Sequence, residues 1–187
     1  MNITAINATD KAIIEQVVAI ADAHFAVGYL APQQVIDYCN SPKNNVFVYQ
    51  KNHQVLGFCL SAILDKTHLL EYTKDHPRVF ECPADDAFGV IKTIAILPKV
   101  QKTGIGSALF AHAEQKLIQK SVNRIIIPAW VYADTMPIAN IMKNHHYQPW
   151  FYVKQFWLDI CNDELNCPKK QNNTCICDLH FHQKICI

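Results

Sequence analysis

Two of the five glycines of the chain stand close together, in the segment Gln101-Lys102-Thr103-Gly104-Ile105-Gly106. This segment follows an apolar run that ends before Pro98 and precedes a stretch with apolar residues at helical spacing. Where a loop enters a helix, consecutive backbone N–H groups point outward and the helix dipole adds positive potential. Glycine lets phosphate oxygens approach the backbone because it has no Cβ. The pattern predicts a phosphate-binding loop; the alternative is a tight turn that needs glycine for its geometry alone.

The residues after the second glycine distinguish this loop from two other phosphate-binding motifs. A P-loop would continue with Lys and then Ser or Thr, whereas Ser107 and Ala108 follow Gly106. A dinucleotide-binding fingerprint would continue with a third glycine, and the chain has no glycine after Gly106. Neither a nucleoside triphosphate nor a dinucleotide is therefore favoured as the ligand.

Thiols form a second group of residues that could do chemistry, because five of the eight cysteines lie within residues 161–187. Four thiolates can hold a structural zinc ion, and the predicted ligands are Cys161, Cys167, Cys175 and Cys177. The spacing is not that of a zinc ribbon, so disulfides, free thiols and an iron–sulfur cluster stay open. Alternation places Leu179 and Phe181 on one face of a strand. His180 and His182 then fall on the opposite, solvent-facing side.

The elements that position these residues are predicted from periodicity and turn signals. Strands are expected at 3–6, 45–49, 55–60, 90–97, 124–127 and 147–160, and helices at 11–24, 32–39, from about 105 onward, and at 137–144. Residues 65–88 are mixed in character and are predicted as a loop over a binding cleft. The order implies a mixed α/β fold with helices on both faces of the sheet. Residues 1–160 form the predicted domain, and 161–187 a cysteine-rich extension folded as a small hairpin.

The balance of charges argues against several classes of function. The 187 residues include 17 basic and 16 acidic side chains, for a formal net charge of +1. Such a surface does not attract a polyanion, which argues against nucleic acid as the main partner. No apolar run approaches the roughly 20 residues of a membrane-spanning helix, and the first residues lack the features of a signal peptide. We therefore expect a cytoplasmic protein without a membrane partner.

The stretch from Ile94 to Leu109 resembles the acetyl-CoA-binding segment of the GNAT superfamily of N-acetyltransferases. The family pattern is an apolar strand, a proline, then Gln or Arg, two variable residues, Gly, an aliphatic residue, and Gly or Ala. Lys102 departs mildly from the pattern, since some members have Gly there. The resemblance implies a mostly antiparallel sheet that splays open. It also implies transfer of an acetyl group from acetyl-CoA to a primary amine, an acceptor that the sequence does not identify.

The resemblance also implies roles for individual residues. The strand around Ile94 and Ile96 should pair its backbone with the pantetheine arm, and the amides from Lys102 to Ser107 should hold the pyrophosphate. The slot for the thioester should open between this strand and the one around Ile126. The predicted cofactor-binding residues are Ile94, Ala95, Ile96, Gln101, Lys102, Thr103, Gly104, Ile105, Gly106, Ser107 and Asn140.

The catalytic groups of the family do not all have counterparts in this sequence. The tyrosine that donates a proton in many members falls near Met142, which cannot donate one, so Tyr132 and Tyr147 are the candidates to replace it. The glutamate that serves as general base in many members is missing from the strand at 91–96. Glu71 is the candidate for this base, within a preceding variable stretch that also holds His68, Glu81, Asp85 and Asp86.

Two functions follow from this pattern of matches and gaps. The first is an active N-acetyltransferase. The alternative is a protein that keeps the fold, has weak or no catalysis, and uses bound acyl-CoA or its cysteine tail for regulation or docking. His145 and His146 are expected to form a surface pair at a helix end in both cases.

Overall fold

A computed structural model describes residues 2–159 and 174–186. These residues form the strands β1 (Asn2–Ala5), β2 (Asn44–Lys51), β3 (Gln54–Leu64), β4 (Phe88–Ile96), β5 (Arg124–Val131), β6 (Gln148–Val153) and β7 (Asp178–Ile185). They also form the α-helices α1 (Lys11–His24), α2 (Pro32–Asn40), α3 (Lys66–Tyr72), α4 (Pro77–Phe80), α5 (Ile105–Gln119) and α6 (Ala139–Asn144). Over these ranges, no helix combines the length and apolar character that crossing a membrane requires.

The strands form one sheet in the order β1-β2-β3-β4-β5-β7-β6. Every neighbouring pair is antiparallel except β4 and β5, which are parallel. This arrangement confirms the predicted mixed, mostly antiparallel fold. The parallel pair needs a crossover connection, and α5 provides it between the end of β4 and the start of β5.

The structure corrects the predicted element order in two places. The predicted loop at 65–88 contains α3 and α4, which have seven and four residues and are too short to show helical periodicity. The expected hairpin over 161–187 is wrong for residues 178–185. These residues form β7, which pairs with β5 on one side and β6 on the other. Its alternating pattern predicted a strand but contained no information about its partners.

Side chains of β7 alternate as the sequence predicts. Leu179 and Phe181 are buried, whereas His180 and His182 on the opposite face are only partly buried. Because both faces of this strand contact other parts of the domain, the histidines are less exposed than a free hairpin would leave them.

The splay predicted between β4 and β5 is confirmed by the ladder that joins them. This ladder pairs Phe88–Val90 with Arg124–Ile126. Beyond Val90, β4 continues to Ile96 and β5 to Val131 with no further ladder pair between these two described strands. A slot therefore opens between the carboxyl-terminal halves of the two strands.

Apolar clusters cover both faces of the sheet. On one face, α5 contributes Leu109 and Phe110 to a core that also holds Ile125 and Ile127 of β5. On the other face, α1 and α2 cover β2 and β3. The short helices α3 and α4 cover the remaining part of this second face, where Leu69 and Val79 pack in the same cluster as Ile126, Leu179 and Phe181.

An ion-pair cluster connects α5, α6 and β7 on the first face. Glu114 of α5 accepts hydrogen bonds from Nδ1 of His145 at 2.7 Å and from Nζ of Lys184 at 3.0 Å. Phe110 packs against the His145 ring. The expectation that His145 is a surface residue paired with His146 is therefore wrong, because a partner distant in sequence holds it. We call Glu114, His145 and Lys184 the Glu114 cluster.

Candidate active site

The predicted phosphate-binding loop adopts a conformation that depends on glycine. Lys102 and Gly104 have positive φ angles of 61° and 87°, and Gly104 caps the N-terminus of α5. Two side chains fix the loop, one within the segment that follows β4 and one to the last residue of β4. Oγ1 of Thr103 donates to the carbonyl of Val100 at 2.7 Å, and Nε2 of Gln101 donates to the carbonyl of Ile96 at 3.3 Å.

The backbone amides of this loop are available to a ligand. The first hydrogen bond of α5 runs from the amide of Ala108 to the carbonyl of Gly104 at 3.0 Å. None of the amides from Lys102 to Ser107 donates a hydrogen bond to another described residue. Consecutive unpaired amides at a helix N-terminus favour an anion through their hydrogen atoms and through the helix dipole. The loop can therefore hold a pyrophosphate. A tight turn that used glycine only for its geometry would not require these amides to be unpaired.

The edge of β4 that faces the slot presents the amides of Ile94 and Ile96 and the carbonyl of Ile94, whereas the carbonyl of Ile96 is contacted by His24 and Gln101. The amide of Leu97, just after β4, donates to the carbonyl of Leu56 in β3 at 2.9 Å. Because backbone groups alternate along a strand, those of Ala95 also face β3, and those of Ile94 and Ile96 face the slot. An extended ligand can therefore pair with β4 as an additional strand, as the sequence predicts for the pantetheine arm.

Helices α5 and α6 approach each other beside this edge. A Cβ on Gly106 would lie 3.6 Å from Cγ1 of Ile96 and 3.7 Å from Cδ1 of Ile141. Gly106 thus keeps open the space between β4 and α6. Asn140, the predicted contact to the cofactor arm, lies on α6 next to Ile141 and is exposed.

Lys92 lies at the point where β4 and β5 separate, on the face covered by α2 and α3. It is two residues beyond Val90, the last residue of β4 paired with β5, so both side chains point to the same face. Its Nζ lies 4.9 Å from the ring centroid of Tyr72 and 5.7 Å from that of Tyr38. Burial lowers the pKa of the Lys92 ammonium. Both aromatic rings stabilise its charged form.

Tyr29, in the connection between α1 and α2, completes this part of the site. Its hydroxyl is 3.1 Å from Oγ1 of Thr93, the residue after Lys92. Burial raises the pKa of Tyr29, Tyr38 and Tyr72, and the hydroxyls of Tyr29 and Tyr38 raise that of Tyr72 further. These three phenols therefore stay protonated across the physiological range and can donate hydrogen bonds.

Tyr132 lies across the slot, just after the end of β5. Ile126 of β5 is paired with Val90 of β4. Tyr132 follows Ile126 by six residues, and Ile96 follows Val90 by six residues, so both lie equally far beyond the last pair. The Tyr132 ring stacks on that of Trp130, with centroids 6.2 Å apart. Tyr132 is partly exposed. This candidate proton donor is therefore at the mouth of the slot, level with the end of β4.

The other two candidate catalytic residues lie elsewhere. Tyr147 is 5% exposed, packs against Phe110, and its hydroxyl lies in the core near Glu114. It contacts Lys184, which pairs with Ile125 near the closed end of the slot. Glu71 is on the exposed side of α3. The structure thus places Tyr132 at the mouth of the slot, Tyr147 in the core and Glu71 on an exposed helix face.

Four residues near the slot were not predicted from the sequence, because they belong to no recognisable motif. They are His24, Tyr29, Tyr38 and Lys92. Nε2 of His24 lies 2.6 Å from the carbonyl of Ile96 and ties the end of α1 to the end of β4. One signal was present for Lys92, because a lysine interrupts an otherwise apolar strand. The tyrosines had none, since their proximity depends on how α2 and α3 cover the sheet.

The predicted zinc ligands are only partly within the described residues. Cys161 and Cys167 lie outside them. Cys175 and Cys177 are 1% and 2% exposed and pack against aromatic residues near the slot, namely Trp130, Tyr132 and Trp157. Within the two described ranges, no group of three or more His, Cys, Asp or Glu side chains is placed to hold a metal ion.

A comparison with protein-family models matches residues 14–146 to the acetyltransferase (GNAT) family. Among curated proteins, none matches this chain. Many solved structures share the fold. NAA60 of Arabidopsis thaliana, solved in complex with acetyl-CoA, has a TM-score of 0.69 at 14% identity and covers 98% of this chain and 97% of its own.

Two bacterial structures show the same likeness. The ribosomal-protein-S18-alanine N-acetyltransferase of Escherichia coli has a TM-score of 0.66 at 11% identity, with 99% of this chain and 93% of that chain covered. The ribosomal-protein-alanine N-acetyltransferase of Brucella melitensis has a TM-score of 0.63 at 16% identity, with 99% of each chain covered. At these identities the likeness shows the shared fold.

Proposed function

This chain belongs to the acetyltransferase (GNAT) family, and we propose that it transfers the acetyl group of acetyl-CoA to a primary amine in the slot between β4 and β5. One observation carries the proposal. The unpaired amides from Lys102 to Ser107 lie at the end of the strand whose free edge faces the slot. A ligand with a pyrophosphate and an extended amide-containing arm fits both features at once.

The reaction requires a neutral amine, a polarised thioester carbonyl and a proton for the departing thiolate. The amine nitrogen attacks the carbonyl carbon, a C–N bond forms, and the C–S bond breaks. The amide of Ile94 or Ile96 donates a hydrogen bond to the carbonyl oxygen as it becomes negative. The nitrogen loses one proton to solvent, and the CoA thiolate gains one from Tyr132. The Tyr132 phenolate then takes a proton back from solvent, so the enzyme returns to its starting state. The products are the N-acetyl amide and free CoA.

Acetyl transfer itself tests the proposal. The reduced protein is incubated with acetyl-CoA and a panel of primary amines, and N-acetylated products are measured by mass spectrometry. Products above the uncatalysed background support an active enzyme. Tight acetyl-CoA binding without any product would instead support the catalytically weak, acyl-CoA-binding alternative.

We expect Tyr132→Phe to lower kcat by about 100-fold, because protonation by a positioned acid contributes at least this much. Acetyl-CoA binding should be unchanged, because the proposed pyrophosphate contacts lie on the opposite side of the slot. Tyr147→Phe is the matched control, since it removes the same hydroxyl from a buried site away from the slot. Its kcat should change by less than about threefold. Equal kcat values for the two variants would contradict the role of Tyr132.

We also propose that Cys161, Cys167, Cys175 and Cys177 hold a structural zinc ion. Support comes from the burial of Cys175 and Cys177 beside one another and from the four-thiolate chemistry that zinc prefers. The purified reduced protein should contain about one zinc per chain. Cys175→Ser should lower both the zinc content and the unfolding temperature, whereas Cys39→Ser on α2 should change neither. A metal-free protein with the same stability in both variants would refute the site.

A further inference from the structure

Two tyrosine rings lie against the ammonium of Lys92 at the point where β4 and β5 separate, and a third tyrosine contacts the next residue of β4. The rings of Tyr38 and Tyr72 lie within cation–π distance of its Nζ, and Tyr29 bonds to the neighbouring Thr93. We call Lys92 and these three tyrosines the Lys92 cluster. Its members come from the α1–α2 connection, α2, α3 and β4, so four segments of the chain converge on one point.

The cluster has a positive charge that no side chain in the described ranges neutralises. No Asp or Glu within the described part of the chain lies within 4.0 Å of the Lys92 ammonium. The aromatic rings attract the ammonium but carry no negative charge. A partly buried cation without a counter-ion is costly, so this arrangement favours a ligand that supplies the missing anion.

The hydrogen-bonding groups of the cluster point to the same conclusion. The hydroxyl of Tyr38 is buried and has no hydrogen-bond partner in the described residues. Burial raises its pKa, so the hydroxyl keeps its proton and can donate it. An ammonium and a phenol that both lack acceptors are matched by the two oxygens of a carboxylate.

The position of the cluster relates this anion to the reaction. Lys92 lies at the fork of the slot, two residues before Ile94, whose backbone amide faces the slot. Adjacent residues of a strand are about 3.3 Å apart, so Lys92 lies within about 7 Å of Ile94 along the chain. An anion bound by Lys92 is therefore close enough to the thioester to belong to the same small molecule, or chain end, that presents its amine.

We propose that the acceptor is an amine that carries a carboxylate close to its nitrogen, and that Lys92 and Tyr38 bind this carboxylate. This inference rests on the proposed function, because it names the acceptor class of the same site. It also predicts discrimination, since an acceptor with several positive charges would place one of them against Lys92. Amino acids and related amino carboxylates fit this description, whereas polyamines do not.

Binding of product analogues tests the proposal without requiring turnover. The protein saturated with CoA is titrated by calorimetry with N-acetylglycine and N-acetylphenylalanine, and separately with the corresponding amides, in which the carboxylate is replaced by a neutral carboxamide. At least one acid should bind about tenfold or more tightly than its amide, because hydrogen bonds to a charged group are the stronger kind. CoA binding is measured first for every variant as a check of folding.

Variants test whether the Lys92 cluster causes the preference for the acid over the amide. Lys92→Gln should reduce the acid-to-amide ratio to about one, while Lys92→Arg should keep most of it because the charge remains. Tyr38→Phe should lower the ratio without lowering the unfolding temperature, since it removes a buried hydroxyl that has no partner. Lys120→Gln, at the exposed end of α5, should leave the ratio unchanged.

The outcomes separate this inference from the proposed function. Amides that bind as tightly as acids, acids that do not bind at millimolar concentration, or an unchanged ratio in Lys92→Gln would each overturn it. Those results would leave acetyl transfer to other amines intact. Failure of the proposed function would appear instead as absence of acetyl-CoA binding or of any N-acetylated product.

Discussion

Replacing Gly104 with Val is expected to weaken acetyl-CoA binding by at least about 100-fold. A side chain at this position would point into open space in front of the loop, where the pyrophosphate should lie. It would also strain the backbone, because Gly104 has a φ of 87°. Loss of two hydrogen bonds to a charged group, each contributing about 1.5–3 kcal/mol, accounts for a loss of this size. Calorimetric titration with acetyl-CoA measures it directly.

Gly28 offers a closely matched control for this variant. Its φ is 84°, and a Cβ added there would also have no neighbour within 4 Å. Gly28→Val should therefore introduce a similar backbone strain and a similar loss of stability, but leave acetyl-CoA binding near the wild-type value. If both variants bound acetyl-CoA equally well, the loop would not be the pyrophosphate site. Gly106→Val provides a second test, because its side chain would close the space between Ile96 and Ile141.

Glu114→Ala is expected to lower the free energy of unfolding by about 2–3 kcal/mol. The substitution removes both hydrogen bonds of the Glu114 cluster and leaves the Lys184 ammonium without its carboxylate. Loss of one partner from a fully buried pair costs about 3–5 kcal/mol. We expect less here because the Lys184 side chain is 30% exposed. Urea denaturation at neutral pH measures the difference, and Glu15→Ala on the exposed side of α1 should change stability by less than about 0.5 kcal/mol.

The pH dependence of this variant provides an independent check. Burial alone would raise the pKa of Glu114, but the hydrogen bonds and charges of His145 and Lys184 outweigh it, and the folded-state pKa lies below the ordinary value of 4.5. A lowered pKa stabilises the fold above pH 4.5, and this contribution is lost as the pH falls through the folded-state pKa. The stability curves of wild type and Glu114→Ala should therefore converge in acid. A constant difference down to pH 3 would show that packing, and not charge, accounts for the loss.

The parts of the site that depend on local sequence were predictable. The strand, the proline and the two glycines around Gln101 are contiguous, and their backbone conformation follows from residue type. The same holds for the splay, which the resemblance of this segment implied. The structure adds the particular geometry, including the positive φ of Lys102, a position where glycine would be the easier residue.

The parts that depend on distant contacts were not predictable. Lys92, Tyr38 and Tyr72 come together only because α2 and α3 cover neighbouring parts of one sheet face. Helix α3 has seven residues, which is less than two full turns beyond its caps, so no hydrophobic period marked it. His145 was assigned to the surface because its partner Glu114 is 31 residues away. In each case the contact joins segments that are far apart in the sequence, so no local pattern could predict it.

The place of β7 in the sheet has a consequence for how the chain folds. β7 lies between β5 and β6, although it follows both in sequence. Until it inserts, β5 and β6 each present an unpaired edge, and the aromatic residues that Phe181 covers are open to other chains. Insertion must also close the connection from β6, which makes it a non-local and slow step. Newly made protein should therefore pass through a stage in which self-association competes with completion of the sheet, and dilution at this stage should raise the yield of folded enzyme.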